Sequence, residues 1–144
     1  MALARREIPA MGAGMREFRA WQEAVATAGE VARAARKASR GEPRPLTDLL
    51  VRGSAELALA IARAHAKSEL MAQRDAFQSA REAAASLETS IAIARHAELL
   101  PLATCADLSA RAASTSRIIA GYQLYLERQV SAEMADVSES RTVS

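Results

Sequence analysis

Apolar side chains return every three or four positions along most of this chain, and the places where that rhythm stops divide it into segments. Phe18, Trp21, Val25, Ala28, Ala32 and Ala35 fall on one stripe, with Arg19, Glu23, Glu30, Arg33 and Lys37 opposite, which predicts a helix over residues 15–39. Gly41, Pro43 and Pro45 then force a turn, because glycine favours a helix C-cap and proline cannot continue a helix. Leu46, Leu50, Gly53, Leu57, Ile61 and Ala64 mark a second helix over 45–66. Residues 67–69, unmarked by glycine or proline, read either as a turn with Ser68 available as an N-cap or as continuous helix, and lead into a third helix over 72–99 whose inward positions are Phe77, Ala80, Ala84, Leu87, Ile91 and Ala94. Pro101 punctuates it. A last helix over 102–130 carries Leu108, Ala112, Ile118, Ile119, Tyr122, Tyr125 and Leu126. Residues 1–13 read as a flexible leader and 131–144 as a polar tail. The expectation is an all-α chain whose residues 14–130 form an antiparallel, up-down-up-down four-helix bundle with short connections.

The second helix adds a quaternary expectation. Its polar side chains Arg52, Glu56, Arg63 and Lys67 keep to one narrow stripe, while Leu49, Ala55, Ala58, Leu59 and Ala62 make the remaining circumference apolar or small. A helix of this kind must be covered on more than one side, and in a small bundle another subunit is the natural cover.

Composition agrees with helix: 50% of the residues are hydrophobic and only 3% aromatic, so strand formers are scarce. Cys105 is the sole cysteine, which rules out an intrachain disulfide and fits a reducing cytoplasm. The first residues carry Arg5, Arg6, Glu7 and Pro9 without a hydrophobic run. Leu57 to Ala62, the longest uninterrupted apolar run, is far too short to span a bilayer, so the reading is cytoplasmic with no membrane partner.

Candidate chemistry is thin. A di-metal carboxylate site needs Glu-x-x-His, and neither His65 nor His96 has a glutamate three residues before it. His65 and Glu69 lie one turn apart and read as a surface ion pair. Cys105, among alanines and leucines, reads as a small core residue. Gly12-Ala13-Gly14 lacks the further glycine and the preceding strand of a phosphate loop. No catalytic residue, metal or cofactor is assigned, and the chain reads as non-enzymatic.

The basic residues offer more. Arg52, Arg63 and Lys67 share one helical face, and Arg36, Lys37, Arg40 and Arg44 gather around the first turn of the chain. One such group is usually a solvated surface with pairs such as Arg52 with Glu56. Repeated around a symmetric oligomer, it becomes an array of positive charge able to hold RNA or DNA by phosphate contacts. With so few aromatics to stack on bases, binding of this kind is sequence-independent. The alternative is a structural or adaptor oligomer that binds another protein.

Phe18-Arg19-Ala20-Trp21-Gln22-Glu23-Ala24 is similar to the opening Phe-x-x-Trp-x-x-Ala motif of the four-helix-bundle proteins encoded in intervening sequences of bacterial 23S ribosomal RNA genes. That family includes the accessory variability protein of diversity-generating retroelements. Leu46-Thr47, Leu50, Arg52, Ile61 and Ala62 resemble its second-helix pattern, and Ala80, Leu87-Glu88-Thr89, Ile91 and Ala94 fall in the register of its third. The likeness covers residues 16–128. It departs at residues 56–64, Glu-Leu-Ala-Leu-Ala-Ile-Ala-Arg-Ala, where the family usually has Ser-Ile-Pro-x-Asn-Ile-Ala-Glu-Gly, and Ser86 stands where glutamate is common. The resemblance implies a barrel-like homopentamer with a basic surface and, for the retroelement branch, partnership with a reverse transcriptase and its template RNA.

Overall fold

The computed structural model describes residues 11–38 and 44–143. They form five α-helices packed together, with no strand among the described residues: α1 (Met11–Glu17), α2 (Arg19–Ala38), α3 (Arg44–His65), α4 (Leu70–His96) and α5 (Leu102–Val143). α2 packs against α3 and α5, and α4 packs against the same two, so the interior lies between four long helices. α1 touches the start of α2.

The helix boundaries follow local chemistry. Phe18 interrupts the first predicted helix, splitting it into α1 and α2, because its ring turns inward against His65, Phe77 and Tyr122 at centroid distances of 5.4, 5.7 and 4.9 Å. The turn at 67–69 is present, but Glu69 rather than Ser68 holds the N-cap of α4, without a side-chain cap bond. Gln73 secures this turn instead, its Nε2 donating to the carbonyl oxygens of His65 and Lys67 at 3.1 Å each. α4 ends three residues sooner than the periodicity predicts. The Glu98 amide donates to the Arg95 carbonyl at 3.1 Å and the Leu99 amide to that of Ala94 at 2.9 Å, a Schellman closure with Glu98 in the left-handed region at φ 55°. α5 continues well past the predicted end at Val130, to Val143. Residues 131–141 are exposed throughout, so this extension stands clear of the packed interior.

The core is built from Leu50, Leu57, Ile61, Phe77, Leu87, Ile91, Leu108, Ile119 and Leu126, with alanines such as Ala24, Ala80, Ala84 and Ala112 filling the close approaches. On α4 all the predicted inward positions are buried; on α3 Leu50, Leu57, Ile61 and Ala64 are, whereas Leu46 and Gly53 are half-buried and Thr47, Ser54 and Ala60 face inward beside them. On α2 the stripe is rotated: Ala20, Ala24, Thr27, Val31 and Ala35 face inward, whereas Val25 is exposed and Trp21 half-buried. The small residues of this helix let it approach its neighbours closely, which the larger Trp21 and Val25 would prevent. Five buried hydroxyls bond only to their own helix, Thr47 donating to the Arg44 carbonyl at 2.9 Å. Thr27 donates to the Glu23 carbonyl at 2.7 Å, Ser54 to Val51 at 3.0 Å, Ser90 to Ser86 at 3.1 Å and Thr115 to Arg111 at 3.0 Å. Each is thereby satisfied without an interhelix partner. No described helix is long and apolar enough to cross a membrane.

Candidate interaction surfaces

The basic residues fall into two groups. Arg36 and Lys37 end α2 and Arg44 begins α3, so all three lie where these helices adjoin. Arg40 lies outside the described residues. Arg52, Arg63 and Lys67 are exposed along one side of α3 and the residue run just beyond it. The predicted Arg52–Glu56 pair is replaced by an ion pair of Glu56 with Arg63, two turns further on, because the longer reach lets both charged ends meet in solvent. Among the described residues no carboxylate lies within ion-pair distance of Lys37, Arg44, Arg52 or Lys67.

The structure adds a neighbour that the sequence left unconnected. Arg33 and Lys37 of α2 share a cleft of about 360 Å³ with Ala103, Thr104 and Asp107 from the first turns of α5. The amide end of α5 carries the positive pole of its helix dipole, which reinforces the field of Lys37 there. Arg33 and Arg111 are offset by ion pairs to Glu30 and Asp107. Pro101, the residue before α5, was the sequence signal for where that pole begins.

A second surface is apolar. Leu49, Val51 and Leu59 of α3 are 43%, 38% and 53% exposed, as expected for a helix needing cover on more than one side. On other helices, α4 and α5 bound a groove of about 500 Å³ with Ala92, Ala106 and Ala110 on its walls and Glu88 and Arg95 at its edge. Cys105 sits in its floor, buried as predicted. Burial pushes the Cys105 thiol up, and the nearby Arg95 charge only partly opposes this, which disfavours the thiolate.

At the other end lies an aromatic cluster. Phe18, Phe77 and Tyr122 pack together, and Tyr125 stacks on Tyr122 at 5.7 Å while keeping 41% of its surface exposed. Burial, then the neighbouring Tyr125, raises the Tyr122 phenol above its ordinary range. His65 joins this cluster through Phe18 and forms no ion pair with Glu69: its Nδ1 is buried without a hydrogen-bond partner, and burial lowers its pKa. Periodicity could not show this, since it depends on the break at Phe18. Among the described residues no group of three or more His, Cys, Asp and Glu gathers as a metal shell would require.

No protein-family model matches the chain, and no curated protein or solved structure matches it. The resemblance carried by Phe18, Trp21 and the residues that follow therefore rests on those residues alone.

Proposed function

We propose that this chain is a non-enzymatic assembly protein whose copies associate through the outer side of α3 and together bind nucleic acid by phosphate contacts. The observation that carries this reading is the outer side of α3, where exposed Leu49, Val51 and Leu59 share one helix with Arg52 and its unneutralised charge. Large apolar side chains in that number on one helix mark an interaction surface. In this reading α2 to α5 form an antiparallel four-helix unit, supported by their pairwise packing and short connections, and the resemblance suggests five copies in a barrel. Lys37, beside the amide end of α5, and Arg44 at the start of α3 form the principal phosphate contact of each copy, with Arg36 adding charge at the end of α2 and Lys67 lying further along. Repetition around the assembly multiplies a modest local field. A reverse transcriptase and its template RNA are the partners that the resemblance suggests, in a cytoplasmic setting. The same exposed leucines favour a second reading, an adaptor that uses this face to hold a different protein.

Light scattering combined with a salt series of RNA and duplex DNA binding tests the proposal. The expected result is a mass several times that of one chain, with affinity that falls steeply as salt rises and is largely lost in Lys37→Ala/Arg44→Ala. A monomer that binds neither ligand at low salt overturns it. An oligomer that binds neither leaves only the adaptor reading.

A further inference from the structure

The outer side of α3, where Leu59 stands between charged residues, and the groove between α4 and α5 are different surfaces of one molecule, and their charges match in reverse order. Glu56 and Arg63 stand two turns apart on α3 with Leu59 between them, while Glu88 and Arg95 stand two turns apart on α4 with Ala92 between them. We infer that α3 of one copy docks antiparallel to α4 in the groove of the next, setting Glu56 against Arg95, Leu59 against Ala92 and Arg63 against Glu88. A single register satisfies all three contacts. The inference rests on the assembly reading and supplies its interface.

Shape supports the same register. Leu59 is 53% exposed, and the small side chains Ala55 and Ala62, about one turn to either side, let the helix backbone come close. Across from it, the groove of about 500 Å³ is walled by Ala92, Ala106 and Ala110, which leave room for one incoming leucine. The Glu56–Arg63 pair within each copy is solvated on both sides, at 51% and 60% side-chain exposure, so exchanging it for two pairs across the interface sacrifices little. Because α3 contributes nothing to the groove, every copy can donate one surface and accept with the other. Such a head-to-tail contact grows into a ring if the rotation closes and a fibre if it does not.

Cysteine pairing tests the register. In a Cys105→Ala background, Leu59→Cys and Ala92→Cys are made separately, mixed in equal amounts and mildly oxidised, with circular dichroism confirming the fold of each. The mixture is expected to yield a covalent dimer and neither variant alone to do so; a chain carrying both substitutions is expected to yield a ladder of covalent oligomers. Self-linking of Leu59→Cys alone overturns the inference by showing a two-fold contact through α3. So does an oligomer by light scattering from which the mixture gives no covalent dimer, an outcome that leaves the assembly reading standing. A monomer by light scattering removes both.

Discussion

Glu98 closes α4 in a backbone conformation that an L-residue adopts only at a cost, and replacing it with glycine should stabilise the protein. At φ 55° the Cβ crowds the following carbonyl oxygen, a penalty of about 1–2 kcal/mol for a residue with a side chain. Glycine avoids it but gives up more backbone freedom on folding, about 0.5–1 kcal/mol. The net gain is about 0.5–1 kcal/mol, or roughly 2–4 °C in Tm for a chain of this size. Removing a carboxylate from the negative end of α4 adds a favourable change that has nothing to do with backbone shape. Glu98→Ala isolates it, since alanine loses the charge and keeps the Cβ. Thermal melts followed by circular dichroism, at fixed protein concentration, should rank Glu98→Gly above Glu98→Ala, with Glu98→Asn between them. Equal melting temperatures for the glycine and alanine variants would refute the reasoning, because only the charge would then matter.

Acid should weaken the fold through His65. Burial lowers its pKa from the ordinary 6.5, so the unfolded chain binds the proton more readily; stability is fully present above pH 6.5 and declines as the pH falls from there towards the lowered folded value. Urea unfolding on either side of this window should show a loss that His65→Gln removes, and an unchanged pH dependence in that variant would acquit His65. Ending the chain after Ser131 should lower helical content while changing unfolding free energy by less than about 1 kcal/mol, because the removed residues through 141 are exposed. A larger loss in urea would mean that the extension of α5 supports the interior.

The inward faces of α3 and α4 were legible because large residues mark them: Leu50, Leu57 and Ile61 on one, Phe77, Leu87 and Ile91 on the other. α2 misled for the opposite reason. Its inward face is mostly alanine and threonine, whose weak hydrophobic signal was outweighed by Trp21 and Val25 one position away. The length of α5 was hidden as well, since residues 131–141 are exposed and offer only Met134 and Val137 as large apolar side chains to read. For the interaction surfaces, exposure of α3 could be anticipated from its apolar circumference. The groove that complements it could not, because Ala92 and Ala106 come from different helices and meet only in the fold.

The five buried hydroxyls, each bonded within its own helix, bear on how this protein can change over generations. Thr27, Thr47, Ser54, Ser90 and Thr115 depend on no partner elsewhere, so the loss of one strands no other group. Valine at any of the three threonines, or alanine at either serine, removes a private bond and is a change that no second mutation must accompany. Interiors knitted by bonds between helices evolve in correlated pairs; at these positions this one can drift site by site, whereas buried Gln123 of α5 is tied to Arg74 and Arg81 of α4. Sequences descended from a common ancestor could therefore diverge widely at these positions while the helices continue to meet through the same apolar surfaces.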